Sequence, residues 1–321
     1  MHVCDLGNGI ELHMDGVTYR FDPRRVREGD VNIVSHAHSD HMPSRFGGNP
    51  VVCTPLTADL ARLRRKTVTV EGREEVSLLQ AGHVPGSAMA LVEGSSRVLY
   101  TGDLCTRDKN HVQPARPSRC DILIIESTYG RPGYAFPSHE ETLSSIRDWL
   151  EDVFREGRPA VMFAYPIGKA QELCFDFRDL PQLQQPSIAR NNEVVASHGL
   201  DLCVAPREDC LPETPFVYVT SGMGQEKGIV ERLIRRGAKG AAFSGWNMDN
   251  RFVTRSKGKH ETFPLSDHCG YNELLEFVRE CSPGSVYTTH GSAASLARGI
   301  RDELGIDARP LERGQKSLEC Y

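Results

Sequence analysis

Six consecutive residues, His36-Ala37-His38-Ser39-Asp40-His41, set three imidazoles and a carboxylate side by side. Imidazole nitrogen suits zinc, iron or manganese, and a carboxylate can complete such a site or bridge two ions. Alternate residues of an extended segment point the same way, so His36 and His38 can reach one ion together. Asp40 and His41, just beyond, can turn to a second. The chain has 12 histidines in 321 residues, so three histidines and an aspartate within six positions are a poor match to chance.

These groups need a frame, and the sequence supplies strand ends. Glu11–Met14 and Val17–Phe21 flank Asp15-Gly16, a strong short hairpin signal. Val31–Val34 reads as a strand running out at His36, and Val76–Leu79 precedes His83. Ala88–Val92 and Arg97–Tyr100 form a second hairpin ending near Asp103. Ile122–Ile125 is an unbroken apolar strand followed at once by Glu126. From Ser138 the texture changes. Ser138 and Glu141 make a capping box, and Leu143, Ile146, Leu150 and Val153 follow at helical spacing until Gly157. Strand 160–165, a turn at 166–169 and a helix from about Ala170 come next. Residues 181–215, rich in Pro, Gln and Asn, read as loop. Strand 216–220, helix 226–236, strand 241–244, helix 271–280, strand 286–289 and helix 293–304 complete an α/β protein with layered sheets.

Composition is that of an ordinary globular enzyme, 39% hydrophobic and 25% charged. A net charge of −5 argues mildly against nucleic-acid binding. Two divalent ions would add about four positive charges where a phosphate must sit, which outweighs that figure locally. Basic clusters at Arg24–Arg27, Arg62–Lys66 and Arg232–Arg236 read more simply as solvated faces. The ten cysteines lack any CxxC pair, and Cys203 and Cys210 have no second pair. They read as free, mostly buried thiols. No apolar run of membrane-spanning length and no signal-peptide opening is found, so no membrane partner and a cytoplasmic location are expected.

HxHxDH is the signature of metallo-β-lactamase-fold hydrolases, and later segments resemble the rest of that pattern in order. Asp22 resembles the buried aspartate that supports the metal loop, His83 the third histidine ligand, and Asp103 the bridging carboxylate. Glu126-Ser127-Thr128-Tyr129-Gly130 resembles the first motif of the β-CASP nucleases. Leu265-Ser266-Asp267-His268 resembles the second and Thr288-Thr289-His290-Gly291 the third, while Gly168–Leu173 resembles a helix start inside the β-CASP insert. The resemblance implies a metallo-β-lactamase αββα sandwich (1–130 and 263–321) interrupted by an α/β β-CASP insert (131–262). It also implies that His36, His38 and His83 hold one divalent metal, Asp40, His41 and His290 another, and Asp103 both. Zinc is the expected metal, with manganese the alternative. One departure is Gly270, where relatives often carry an acid two positions after the second-motif histidine.

Phosphodiester hydrolysis needs an in-line nucleophile, neutralised phosphoryl oxygens and a protonated leaving group. Two metals about 3.5–4 Å apart supply the first two. With Asp40 in the metal site, Glu126 and His268 remain as a carboxylate–imidazole pair suited to protonating the leaving 3′ oxygen, or else to supporting a ligand. Substrate grip is expected in the insert, through free backbone N–H groups at Gly168-Lys169 and at Ser221-Gly222, and at Ser244 and Trp246, the indole stacking on a base. The compact length and the Phe243–Trp246 segment resemble the ligase-associated DNA exonucleases of prokaryotes. The expectation is therefore a DNA-repair exonuclease acting on single strands, with a ligase as a candidate partner. RNA processing is the alternative, since His290 resembles the RNA-processing members. A small-molecule metallohydrolase fits less well, because it leaves the insert unexplained, as does a non-catalytic subunit, because all seven ligand positions are filled.

Overall fold

In the computed structural model the described residues are 2–5, 9–64, 66–202, 212–213, 215–222, 227–248 and 260–311. Readings placed on Arg65, Cys203, Cys210 and Glu226 lie outside them. The chain forms two compact units. One comprises Met1–Arg107, Gln113–Ala135 and His268–Tyr321, and the other Asp108–Val112 and Phe136–Asp267.

The first unit begins with strands β1 (His2–Asp5), β2 (Ile10–Met14), β3 (Val17–Phe21) and β4 (Val31–Ile33), one sheet in that order. The β2–β3 turn has positive φ at both Asp15 and Gly16, the combination a two-residue hairpin turn demands. Helix α1 (Pro55–Leu63) starts with Thr54 accepting from the Thr57 N–H and Pro55 in the first turn. Then come β5 (Val76–Gln80), β6 (Ala88–Glu93), β7 (Arg97–Tyr100) and β8 (Ile122–Glu126).

The second unit carries α2 (His139–Arg155), β9 (Ala160–Phe163), α3 (Lys169–Asp176), β10 (Gln182–Gln184), α4 (Pro186–Ser197), β11 (Val217–Thr220), α5 (Lys227–Arg235), β12 (Lys239–Phe243) and β13 (Glu261–Phe263). Its sheet, ordered β10-β11-β9-β12-β13, is parallel throughout. Parallel strands need crossover connections, which the alternating helices provide. Val161, Leu183, Phe216, Tyr218 and Leu233 form its core.

The chain returns to the first unit with α6 (Tyr271–Cys281), β14 (Ser285–Thr289), α7 (Ala293–Gly299) and β15 (Asp307–Pro310). The second sheet is ordered β15-β14-β8-β7-β6-β5. Its pleat divides neighbouring residues between two cores. Val98, Tyr100, Ile122 and Ile124 face Leu12, Phe21 and Ile33 of the first sheet, while Leu99, Leu123 and Ile125 meet Leu274 and Phe277 of α6 and Leu296 of α7. Each fully buried aliphatic chain contributes about 1.5–3 kcal/mol. Helix α1 packs through Ala58 and Ala61 on Val34, Val51 and Cys53. This is the two-sheet sandwich with helices outside that the resemblance implied.

Most expected elements stand within a residue or two of where the sequence put them, and Ser138 and Glu141 form their capping box. The 181–215 region is a correction, since β10 and α4 occupy Gln182–Ser197. Its Gln and Asn side chains are buried and satisfy one another. Asn192 accepts from Gln171 at 2.7 Å and donates to Gln184 at 2.9 Å, and Asn191 donates to the Pro166 carbonyl at 2.8 Å. A polar composition that reads as loop is here a hydrogen-bonded interior. The expected helix 293–304 ends as an α-helix at Gly299 and continues as a wider π turn through Leu304. Cys4, Cys53, Cys105, Cys120, Cys174, Cys269 and Cys281 are free and buried, as expected. No helix among the described residues is long and apolar enough to cross a membrane.

Candidate metal centre

In the six-stranded sheet β7, β8 and β14 run parallel, and β5 runs the same way through the antiparallel β6. Their carboxyl ends therefore open on one edge, where His83, Asp103, Glu126 and His290 follow, the usual place for ligands in such sheets. The loop His36–His41 leaves β4 of the facing sheet. It is not the extended strand end expected: β4 stops at Ile33, and the loop bends from Ala37 onward. Two glycines allow close approach. Gly82, before His83, has φ +68 and a Cβ there would run into the Cys105 carbonyl; Gly291, after His290, has φ +47 and a Cβ would strike the Ser127 carbonyl.

One ligand atom each from His36, His38, His83 and Asp103 lies within 4.8 Å of the others. The Asp103 carboxylate stands 3.6 Å from His36 Nε2, 3.6 Å from His83 Nε2 and 3.4 Å from His41 Nε2, so it faces both sides of the cluster. The Asp40 side chain, 80% exposed, reaches to 3.9 Å from His41 Nε2. The exposed His290 ring lies 5.1 Å from that of His41.

The hydrogen bonds behind the cluster settle which nitrogens are free to bind. Asp22 is buried and accepts from the Ser35 N–H at 2.7 Å, Ser35 Oγ at 2.6 Å, His41 Nδ1 at 2.7 Å and the Tyr100 hydroxyl at 2.8 Å. Burial works against its ionisation, yet the hydrogen bond and charge of His41 hold the carboxyl below its usual range. The Ser35 proton goes to Asp22, so Ser35 Oγ accepts from His36 Nδ1 at 2.9 Å. That fixes the tautomer of His36, whose buried Nε2 has no hydrogen-bond partner and a lone pair aimed at the cluster. Burial, then the imidazoles of His41 and His38, keep His36 well below the usual range and neutral. In His41 burial opposes protonation, but the carboxylates of Asp103 and Asp22 prevail and raise it to about 10 in the metal-free site. A buried, orphaned imidazole nitrogen among two further imidazoles and a carboxylate fits a divalent metal.

Beside this cluster His268 Nδ1 meets Glu126 Oε1 at 2.8 Å. Glu126 is buried and also accepts from the Leu104 N–H at 3.0 Å and the Thr128 N–H at 3.0 Å. Burial opposes its ionisation, but His268 and these donors hold it down to about 2. The His268 ring lies 4.5 Å from that of His83.

With this geometry in view, comparison with known proteins becomes informative. A family profile described as a Zn-dependent metallo-hydrolase RNA specificity domain matches residues 255–309. A "Probable DNA ligase" of Opitutus terrae is 31% identical over 293 residues, 86% of this chain and 28% of that protein. "5' exonuclease Apollo" of Gallus gallus is 29% identical over 293 residues, 82% of this chain and 59% of that protein. The chain thus spans well under two thirds of these relatives. A crystal structure of a protein of unknown function from Enterococcus faecalis V583 shares the fold, with a TM-score of 0.69 at 12% identity, over 98% of this chain and 97% of that one. The profile and these relatives are of the kind that the sequence motifs resemble, the β-CASP proteins of the metallo-β-lactamase fold. The matching profile implies binding of a divalent metal, and the His/Asp clusters are the groups that fit it.

Several residues that hold this site were not singled out from sequence. Tyr100 lies 78 positions from the Asp22 it serves, and only its place on the inward face of β7 connects them. The basic run at Arg62–Lys66 is more than a solvated face: Arg64 donates to the Ala37 carbonyl at 2.9 Å and Lys66 to the Pro43 carbonyl at 2.6 Å, bracing the metal loop. The His268 loop, lacking an acid at Gly270, is held otherwise. Arg107 donates to the His268 carbonyl at 2.8 Å and pairs with Glu273 at 2.8 Å, and Glu273 accepts from the Gly270 N–H at 2.6 Å.

In the second unit the expectation of free N–H groups is corrected. The Gly168 N–H goes to Gln171 Oε1 at 2.7 Å, that of Ser221 to Gln185 at 2.7 Å and that of Gly222 to Thr220 Oγ1 at 3.0 Å. Lys169 is buried and pairs with Glu172 at 2.6 Å and Asp267 at 3.0 Å. Side-chain amides and hydroxyls of the polar interior have taken the positions a phosphate was expected to fill. Ser244 follows β12 and accepts from the N–H of the half-buried Trp246 at 3.2 Å.

Proposed function

We propose that this chain is a metal-dependent nuclease that hydrolyses phosphodiester bonds with two divalent ions, and that it acts as an exonuclease on single-stranded DNA in repair. The observation that carries the reading is the shared position of Asp103 between two imidazole groups, next to a hydrogen-bonded Glu126–His268 pair. His36, His38 and His83 would hold one zinc or manganese ion, Asp40, His41 and His290 the other, and Asp103 both. When bound, the ions supply the activated water and neutralise the phosphoryl oxygens.

The remaining steps belong to the protein's own groups. Asp22 holds His41 by Nδ1 and leaves Nε2 for the metal side. Ser35 does the same for His36. Glu126, ionised down to about pH 2, is no proton donor. It accepts from His268 Nδ1 and orients the ring, so that a proton on Nε2 can pass to the leaving 3′ oxygen. Glu126 is thus a positioning residue and His268 the proton donor. The second unit supports reading residues 131–262 as the β-CASP insert, in which Trp246 and Ser244 would offer a stacking surface and the Ser221-Gly222 turn a further contact. Gly168 and Lys169 act there through the buried brace they form. The likeness to a ligase suggests a ligase as a working partner.

RNA processing is the second reading, favoured by His290 and by the RNA specificity named in the matching profile. The test is cleavage of matched single-stranded DNA and RNA, labelled at either end, with zinc or manganese. Successive shortening of DNA, abolished by Asp40→Ala or His268→Ala, is expected. Cleavage of RNA alone would move the assignment to RNA processing, and no metal-dependent cleavage of either would refute the nuclease reading.

A further inference from the structure

The second unit holds a cluster of chemical groups that the nuclease reading does not use. His111 comes from the Asp108–Val112 segment, His139 opens α2, and Glu172 and Asp176 stand one turn apart on α3. One ligand atom each from His111, Glu172 and Asp176 lies within 4.8 Å of the other two. His139 spans the two carboxylates, its Nδ1 3.5 Å from Glu172 Oε1 and its Nε2 3.6 Å from Asp176 Oδ2, neither of them a hydrogen bond.

The pattern of satisfied and unsatisfied atoms is what points to a ligand. Among the described residues eight buried side-chain nitrogen or oxygen atoms lack a hydrogen-bond partner, and five of them meet here. They are both ring nitrogens of His111, Nε2 of His139, Oε1 of Glu172 and Oδ2 of Asp176. The outer oxygens are all engaged: Glu172 Oε2 accepts from Lys169 at 2.6 Å, and Asp176 Oδ1 from Asn110 at 2.7 Å. His111 is 5% exposed and Glu172 fully buried, so water does not readily complete these atoms. Leaving one such group unpaired costs about 1–3 kcal/mol, and four of them, one from each residue, can turn to a common partner.

Charge gives the sign of that partner. Glu172, Asp176 and Asp267 are three carboxylates, against the ammonium groups of Lys109 and Lys169, which face Asp267 and Glu172. Burial, then the charge of Lys109, keeps His111 well below the usual imidazole range, so it stays neutral and adds no positive charge. With all three ionised one negative charge is left over in a buried place, and burial raises Glu172 above the usual carboxylate range for want of a further cation. Imidazole plus two carboxylates is a donor set for a divalent transition metal.

We propose that His111, Glu172 and Asp176, closed by His139, bind a zinc or manganese ion that is structural, separate from the metal centre of the first unit. It would fasten the Asp108–Val112 segment to α2 and α3. Burial and the absence of a role in the phosphodiester chemistry fit a closed structural site.

The test uses the whole chain. Metal content by mass spectrometry and thermal unfolding before and after chelation are measured for the wild type, Asp176→Asn, His111→Gln and the double variant His38→Ala/His41→Ala. The asparagine keeps the contact with Asn110. Expected are the loss of about one metal equivalent in Asp176→Asn and His111→Gln, and about one equivalent retained in the double variant, whose unfolding temperature falls on chelation. Wild-type metal content in folded Asp176→Asn overturns the proposal. So does a double variant that holds no metal and is indifferent to chelator, a result that stands even if both second-unit variants fail to fold.

Discussion

Replacing Asp22 by asparagine changes one atom and should disable part of the metal centre without unfolding the protein. Asp22 sits at φ 47, a region asparagine tolerates well, so the backbone has no reason to move. Its Oδ2 accepts from Ser35 Oγ, His41 Nδ1 and the Tyr100 hydroxyl, and its Oδ1 from the Ser35 N–H. The amide can keep the last bond, but its NH2 must then face three donors. The two hydroxyls can rotate and accept. His41 can only adapt by losing the Nδ1 proton, which puts hydrogen on Nε2 and blocks that nitrogen as a ligand. Bonds to a charged group are worth about 1.5–3 kcal/mol against about 0.5–1.5 for neutral ones. Three weakened bonds therefore cost about 3 kcal/mol. Metal affinity at the His41 side should fall about 10–100-fold, the range for partners that orient a ligand. Denaturant unfolding of the metal-free protein reads the first figure, and metal titration followed by mass spectrometry the second. An asparagine variant with wild-type metal affinity would show that Asp22 does not set the His41 tautomer.

Three further outcomes follow from the same contacts. Glu126 has its carboxyl held near 2 rather than the usual 4.5, so its interactions stabilise the fold fully above about pH 4.5 and are lost as pH falls towards 2. The shift corresponds to on the order of 3 kcal/mol, and Glu126→Gln should flatten acid unfolding of the metal-free protein across that window while lowering the cleavage rate about 10²–10⁴-fold. An unchanged acid-unfolding profile would remove Glu126 from this account. Gly82→Ala combines a positive φ with a clash against the Cys105 carbonyl and should cost about 2–4 kcal/mol, read by calorimetry, together with loss of metal held by His83. Arg64→Ala leaves every proposed ligand in place but removes the brace on the Ala37 carbonyl. Metal should bind more weakly with little change in unfolding temperature, and equal affinity in both proteins would make the brace incidental.

The order and chemistry of the site were legible from sequence because they are local. His36–His41 is a contiguous run, and His83, Asp103, Glu126 and His290 each follow a strand whose apolar pattern is visible by itself. Hairpins at Asp15-Gly16 and at Glu93–Ser96, and the capped helix from Ser138, depend on neighbouring residues for the same reason. Polar burial was not legible. Gln171, Gln184, Asn191 and Asn192 read as solvent-loving, and only their mutual hydrogen bonds make β10 and α4 an interior. Gly168 and Ser221 looked like open anion cradles until Gln171 and Gln185 were found on their N–H groups.

What the sequence determined, then, is the set of metal-seeking groups and the strands that end beside them, since periodicity and adjacency are written in the chain. Tertiary structure alone decided which nitrogen of His36 and of His41 faces the metal side. That choice belongs to Asp22, Ser35 and Tyr100, which lie on different strands and loops and come together only when the two sheets pack. It also decided that His111, His139, Glu172 and Asp176 share one buried place, because hydrogen-bond satisfaction is a property of neighbours in space, and no spacing along the chain records it.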